Sequence, residues 1–169
     1  MQESTKDLWA YYDAGYHVCI TTNGFVKRNG EAVMGRGTAA QAKRRFPVLA
    51  GTLGTYIGNC GWLGIYELQP RLWCFPVKPA KGISDGTNVV SSQQYRFPLG
   101  STVPGWALKA RLVIIKVGLA ILNSLRVAAP FDYLVLPRPG CGAGELDWEI
   151  QVKPLCARYG DWLIVVHKP

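Results

Sequence analysis

Short apolar segments typical of buried strands alternate along this chain with segments that have helical periodicity. The first pair is HVCITT at 17–22, which is apolar and β-branched, and the Ala-rich segment 37–46, which Pro47 ends. The strand patterns cover 17–22, 63–68, 72–77, 133–136 and 162–166, and the helical patterns cover 37–46, 48–57, 107–127 and 148–158. Because such alternation places helices on both faces of a sheet, the sequence predicts an α/β fold with three α/β/α layers and a mixed, mostly parallel central sheet.

One long segment, residues 79–105, interrupts this alternation. It is polar and rich in Gly, Ser, Asn and Pro, and it contains Tyr95 and Phe97. The sequence predicts a loop here, and loops of this length in a compact domain are usually functional or mobile.

Cysteine and histidine are too sparse for a zinc site or a disulfide framework. The five cysteines form no CxxC pair, and His17 and His167 lie far apart at strand ends, where a structural role is expected for both. The N-terminal segment lacks the build of a signal peptide, and no apolar run reaches about 18 residues. We therefore expect one domain over residues 1–169 that is cytoplasmic, does not contact a membrane and needs neither metal nor cofactor.

Basic residues outnumber acidic ones. The chain has 19 lysines and arginines against 11 aspartates and glutamates, which gives a net charge of +8. Such an excess favours an acidic partner, either a phosphate-bearing ligand or nucleic acid. If nucleic acid is the partner, we expect its phosphates to contact Lys27, Arg28, Lys43, Arg44 or Lys81. The alternative is a solvated surface, because cations such as those in AKRRF also stabilise the negative end of a helix dipole.

Two glycine-containing loops each lead from a predicted strand into a predicted helix. The first follows strand 17–22 and ends in Met34-Gly35-Arg36-Gly37, and the second is Gly140-Cys141-Gly142-Ala143-Gly144. Free backbone N–H groups beside a helix N-terminus form a phosphate-binding arrangement, and two of them indicate a ligand with more than one phosphate. The alternative is that the glycines only permit turns and close packing.

Taken together, several motifs resemble those of the macrodomain, an ADP-ribose-binding fold. They are TTNG at 21–24, VMGRGTAAQAKRRFP at 33–47, FPVK at 75–78 and LPRPGCGAGELDWEIQVKPL at 136–155, in the family's order. The chain is most similar to the branch of terminal ADP-ribose glycohydrolases and DNA ADP-ribosyl glycohydrolase antitoxins. The resemblance implies a single, monomeric macrodomain that binds ADP-ribose or an ADP-ribosylated target.

The resemblance also implies roles for individual residues. Asp7 matches the acidic residue that bonds the adenine amino group, Asn23 matches the Asn at the distal ribose, and Lys78 matches the branch's catalytic lysine. The expected catalytic residues are Lys78 and Asn23. The expected ligand-binding residues are Asp7, Leu8, Asn23, Gly24, Met34, Gly35, Arg36, Gly37, Gly140, Cys141, Gly142, Ala143 and Gly144. Small residues at 140, 142 and 144 are expected to let the backbone approach a diphosphate.

The chain departs from the family pattern at four places. Gly144 stands where some relatives carry a loop Asp, and Lys6 replaces the Gly before the adenine-binding acid. The segments 25–32 and 79–105 are longer than usual, the second with Tyr95, Phe97 and the adjacent Trp106, and either could shape the outer pocket and hence the choice of substrate.

The resemblance leaves the activity open. We expect a hydrolase that removes ADP-ribose from a nucleic acid or protein, with a Lys78 amine made nucleophilic by burial or by a neighbouring cation. In the alternative, Lys78 stays charged and holds a phosphate, and the protein is an ADP-ribose-binding module or an ADP-ribose 1''-phosphate phosphatase. Cys141 has glycine neighbours and no histidine, so a catalytic thiolate is not expected.

Overall fold

A six-stranded sheet forms the centre of the structure, a computed structural model that describes residues 1–128 and 131–167. Its strands are β1 (Gln2–Ser4), β2 (His17–Asn23), β3 (Glu67–Gln69), β4 (Leu72–Lys78), β7 (Leu134–Pro137) and β8 (Leu163–Val166). Their order is β1-β8-β7-β2-β4-β3, and only the β3–β4 pair is antiparallel. The predicted mixed, mostly parallel sheet is confirmed.

Helices cover both faces of the sheet, as the alternating pattern predicts. The helices are α1 (Leu8–Asp13), α2 (Gly37–Arg45), α3 (Leu49–Cys60), α4 (Leu112–Ala128) and α5 (Lys153–Cys156), the last preceded by a π-helical turn at Trp148–Val152. Alternate residues of β2 belong to opposite cores: Ile20 belongs to the core under α1 to α3, and Cys19 to the core under α4 and α5. Within the described residues, no helix is long and apolar enough to span a membrane.

Most predicted bounds differ from the structure by one to three residues, and three predicted elements are shortened or split. The predicted strand 63–68 is reduced to β3, because Gly61 and Gly64 flank a turn and Leu63 is partly exposed. The predicted helix 107–127 begins only at Leu112 in α4. The predicted helix 148–158 is split into a π-helical turn and α5, because Pro154 has no N–H to donate to the preceding turn.

The predicted loop 79–105 is instead a folded segment. It contains the two-stranded sheet β5 (Lys81–Ile83) and β6 (Thr102–Pro104) and a 3₁₀ turn at Ser91–Arg96. A further 3₁₀ turn, Gly105–Ala107, leads out of it. The segment packs around a small core of its own, made by Val89, Val103, Ala107 and Leu108 with Phe97 and Trp106 against them. We call residues 79–107 the inserted segment.

The longest helix, α4, packs on β4 through a glycine. A Cβ atom at Gly118 would lie 2.8 Å from Cζ of Phe75, whose ring is fully buried. In contrast, a Cβ atom at Gly58 in α3 would meet nothing within 4 Å.

We therefore expect opposite effects from two Gly→Ala substitutions. Gly118→Ala should lower the free energy of unfolding by about 1–3 kcal/mol, because the buried ring cannot yield to the added methyl group. Gly58→Ala should raise it by about 0.5–1 kcal/mol, because alanine is the better helix former. Denaturant unfolding of both variants measures the difference. A stabilised Gly118→Ala protein would contradict this packing of α4 on β4.

Candidate functional site

A cavity of about 530 Å³ lies at the carboxyl ends of β2, β4 and β7. This is the edge where open α/β sheets bind ligands. Ten of the predicted site residues line it, namely Asn23, Gly35, Arg36, Gly37, Lys78, Gly140, Cys141, Gly142, Ala143 and Gly144. Both glycine-containing loops therefore meet at one cavity.

Lys78 ends β4 and is buried, with 6% of its surface exposed. Its Nζ atom donates hydrogen bonds to the carbonyl oxygens of Ala143, at 2.7 Å, and Trp106, at 3.3 Å. Burial lowers the pKa of Lys78 to about 8, the nearby Arg36 lowers it as well, and Glu145 raises it. A larger fraction of Lys78 side chains is therefore neutral at pH 7 than for an ordinary lysine.

Asn23 lies beside Lys78 because of a bulge between β2 and β4. Thr22 pairs with Pro76, but Asn23 pairs with Lys78, so the register shifts by one residue at Val77. The Asn23 side chain accepts a hydrogen bond from the Phe25 N–H at 3.0 Å and donates one to the Val33 carbonyl at 2.9 Å. It thereby closes the base of the first loop.

The first loop leads directly into the N-terminus of α2. Gly35, Arg36, Gly37, Thr38 and Ala39 line the cavity, and the first N–H groups of a helix have no partner within the helix. A Cβ atom at Gly35 or Gly37 would meet nothing within 4 Å, and Gly37 has a φ of +56°. This end of α2 can therefore receive an anion.

The glycines of the second loop differ in what surrounds them. A Cβ atom at Gly142 would meet nothing within 4 Å, so this backbone is open to a ligand. A Cβ atom at Gly140 or Gly144 would clash with Ala110, at 2.8 and 2.6 Å. Gly140 and Gly144 must be small for a second reason, because the loop packs tightly against Ala110, and their contact with a ligand stays a prediction.

Four predicted binding residues lie outside the lining of this cavity. Asp7 caps α1 by accepting hydrogen bonds from the N–H groups of Trp9 and Ala10, and Leu8 is fully buried. Met34 belongs to the core, and a Cβ atom at Gly24 would lie 2.6 Å from Trp62. Their roles in binding stay predictions.

Sequence reasoning did not assign several residues that line the cavity. Trp106, Arg138, Asp147, Trp148 and His167 were not predicted to bind ligand. Arg138 and His167 directly follow β7 and β8, and this position at the carboxyl end of a parallel strand is the signal that could have found them. Trp106 comes from the inserted segment, whereas no residue of the other extra segment, 25–32, lines the cavity.

A smaller cavity of about 360 Å³ adjoins the first one. Arg138 and His167 line both cavities, and Glu3, Ser4 and Thr5 complete the smaller one. The Arg138 guanidinium lies 4.8 Å from the Trp148 ring and 3.1 Å from the Glu3 carboxylate. The smaller cavity thus lies at the end of β1 and shares Arg138 and His167 with the cavity that Lys78 lines.

The remaining candidate groups have ordinary structural surroundings. Burial raises the pKa of the Cys141 thiol to about 11, and the His17 Nδ1 atom accepts a hydrogen bond from Trp73 Nε1 at 3.1 Å. Among residues 1–128 and 131–167, no cluster of three or more His, Cys, Asp or Glu side chains could hold a metal ion.

Comparison with known proteins identifies the fold. Neither a family model nor a curated protein sequence matches the chain. Among solved structures it is similar to the macrodomain of Mycobacterium tuberculosis DarG, with 20% identity, a TM-score of 0.67, and coverage of 99% of this chain and 97% of that one. The chain has the macrodomain fold.

Two further structures show the same macrodomain architecture. The macrodomain of Thermus aquaticus DarG is 19% identical, with a TM-score of 0.61 and coverage of 99% of this chain and 97% of that chain. Thermosipho africanus DarTG, solved in complex with ADP-ribose, is also 19% identical, with a TM-score of 0.60. The match to DarTG covers 90% of this chain and 37% of the longer one.

The depressed pKa of Lys78 makes the stability of this macrodomain depend on pH. The unfolded chain binds a proton at Lys78 up to about pH 10.5, but the folded chain loses it near pH 8, so stability rises with pH between these values. From pH 7 to pH 10 the free energy of unfolding should therefore increase by about 2–3 kcal/mol relative to Lys78→Met. Denaturant unfolding of both proteins across this range measures the change. Parallel pH profiles would contradict a depressed Lys78 pKa.

Proposed function

We propose that this macrodomain binds ADP-ribose and hydrolyses its bond to a modified nucleic acid or protein. The observation that carries the proposal is the buried Lys78 amine, which faces the cavity between two loops suited to phosphate binding. The comparison with Thermosipho africanus DarTG supports the choice of ligand, because that protein was solved in complex with ADP-ribose.

The shape of the cavities suggests how ADP-ribose would lie. The diphosphate would contact the N-terminus of α2 and the open backbone at Gly142, where N–H groups can bond its oxygens. The adenosine would extend into the smaller cavity, toward Ser4 and the predicted adenine contact Asp7. The distal ribose would then lie at Asn23 and Lys78.

Lys78 would act as the nucleophile. In its neutral form the amine has two N–H groups, which can donate hydrogen bonds to the carbonyls of Ala143 and Trp106. The lone pair of its nitrogen then remains available to attack the substrate. Nζ would form a bond to the anomeric carbon of the distal ribose, and the bond from that carbon to the carrier would break, with its electron pair leaving on the carrier. Water would then add to the anomeric carbon and displace the neutral Lys78 amine. Its oxygen and one hydrogen become the anomeric hydroxyl of ADP-ribose, and its other proton balances the one taken up by the carrier.

A binding module without turnover is the second candidate function. Gly144 provides no carboxylate at the position of the relatives' loop Asp, and a Cβ atom there would lie 2.4 Å from the Gly140 carbonyl oxygen. Asp147 is the one carboxylate among the cavity-lining residues in the described part of the chain, and its Oδ1 accepts a hydrogen bond from the Ile150 N–H. Among the residues that the structure describes, no carboxylate other than Asp147 lines this cavity to pair with Lys78 as a general base.

The basic surface residues bear on the choice between the two carriers. Lys27 and Lys43 both pair with Glu31, at 2.6 and 3.9 Å, so part of their charge is balanced within the protein. Arg44 and Lys81 are exposed and could contact a nucleic acid backbone. Incubation with ADP-ribosylated single-stranded DNA and with ADP-ribosylated protein, scored for released ADP-ribose, tests hydrolysis and identifies the carrier.

Substitution of Lys78 separates the enzyme from the binding module. Lys78→Ala should reduce turnover by at least about 100-fold but change ADP-ribose affinity little, because the lost bond belongs to the transition state. Lys78→Arg should be equally inactive, because its guanidinium stays protonated. Single-turnover assays and calorimetric titration measure the two quantities. An active Lys78→Arg protein would exclude Lys78 as the nucleophile.

Substitution of Gly142 tests the placement of the diphosphate. Gly142→Val should abolish the thermal stabilisation by ADP-ribose, which for the natural chain is about 2.7 kcal/mol at 100 times the dissociation constant. The folded state should survive, because the new side chain would extend into open space. Gly58→Ala, in α3 outside the cavity lining, is the control and should keep the full stabilisation. An unchanged response of Gly142→Val would refute this placement.

A further inference from the structure

Glu145, the residue after the second loop, has a left-handed backbone although it is not glycine. Its φ is +60°, and its N–H donates a hydrogen bond to the Gly142 carbonyl at 3.0 Å. Non-glycine residues keep this conformation only where the surroundings impose it, and such positions cluster at functional sites.

The surroundings of Glu145 are the inserted segment and the start of α4. Its carboxylate accepts hydrogen bonds from the N–H of Ser91 at 2.7 Å and from the Ser91 hydroxyl at 3.0 Å. It also pairs with Lys109, with 3.6 Å between Nζ and Oε2. Glu145 thus holds the second loop against the 3₁₀ turn at Ser91–Arg96.

The second loop in turn contacts Lys78. The Ala143 carbonyl accepts the 2.7 Å hydrogen bond from Nζ, and the next carbonyl, that of Gly144, accepts one from the Ala110 N–H at 3.0 Å. The inserted segment supplies the second acceptor for Nζ, the Trp106 carbonyl. Glu145 therefore joins the second loop to the inserted segment, the two backbone segments whose carbonyls accept hydrogen bonds from Lys78.

We propose that Glu145 is a positioning residue: its carboxylate fixes the second loop to the inserted segment and so holds the Ala143 and Trp106 carbonyls in place around Lys78. The catalytic part of this inference rests on the proposed hydrolase function. Its structural part, the coupling of the loop to the inserted segment, does not.

The charge of Glu145 gives a second consequence. Arg36 in the first loop and Glu145 directly after the second act on the pKa of Lys78 in opposite directions. The other charged or titratable groups that line the cavity, among the residues described, are Arg138, Cys141, Asp147 and His167. When the Glu145 charge is removed, it no longer offsets the lowering effect of Arg36, so the pKa of Lys78 should fall further below its value of about 8.

Three substitutions of Glu145 separate the hydrogen bonds, the charge and the backbone conformation. Glu145→Ala removes the acceptor and the charge, Glu145→Gln keeps an acceptor for Ser91 but not the charge, and Glu145→Gly suits the left-handed backbone. Glu149→Ala is the matched control. It removes a carboxylate four residues away that pairs with Lys153 at 3.1 Å and does not line the cavity.

We expect Glu145→Ala and Glu145→Gly to lower the turnover of ADP-ribosylated single-stranded DNA at least tenfold. Glu145→Gln should keep turnover within about threefold at its optimum, with the acidic limb of its pH profile moved to lower pH. Glu145→Gly should melt at a higher temperature than Glu145→Ala, which would show that the lost activity does not come from backbone strain.

Amide hydrogen exchange gives a readout that needs no turnover. The Ser91 and Ala110 N–H groups should exchange faster in Glu145→Ala than in the natural chain and Glu149→Ala, and Glu145→Gln should restore protection. If the natural chain releases no ADP-ribose, the hydrolase proposal fails, and exchange with NMR titration of Lys78 still decides the positioning role. The positioning role of Glu145 would be overturned if Glu145→Ala matched Glu149→Ala in amide exchange, in the titration of Lys78 and in turnover.

Discussion

The hydrogen bonds from the Lys78 ammonium to two backbone carbonyls connect the three parts of this site. Lys78 ends a central strand, Ala143 belongs to the second loop, and Trp106 belongs to the inserted segment. A buried lysine has a high desolvation cost, so the carbonyls must lie where the amine can reach them. The loop, the inserted segment and the strand end are thus constrained together. The same burial that weakens the fold at neutral pH lowers the pKa of the amine, as the proposed nucleophilic role requires.

The periodicity of the sequence predicted the layers and the sheet, but it did not predict the parts that complete the site. The strands β2, β4, β7 and β8 are apolar runs, and such runs are visible because burial on both faces requires them. The inserted segment lacks a comparable pattern, because its strands have three residues each and its core has only a few members. β1 and α1 were missed for a similar reason, since three and six residues are too few to establish a period.

The candidate site was partly predictable because its loops follow predicted strands. Ten of the expected residues line one cavity, and the resemblance supplied Asn23 and Lys78. The packing of Gly140 and Gly144 against Ala110 could not be predicted from the sequence, since Ala110 is distant from them along the chain. Trp106 was expected only as one of three aromatic residues near an outer pocket, because its place in the cavity lining depends on how the inserted segment folds.

The bulge between β2 and β4 has a consequence for how sequences of this kind can diverge. The one-residue shift at Val77 brings Asn23 opposite Lys78, and this alignment depends on the lengths of the two strands more than on the side chains between them. Substitutions within either strand can accumulate as long as its two faces stay apolar, but an insertion or deletion would move Asn23 away from its position opposite Lys78. This geometry therefore permits extensive substitution in β2 and β4 as long as the lengths of the two strands are conserved. It is compatible with a chain that keeps the macrodomain architecture at 20% identity.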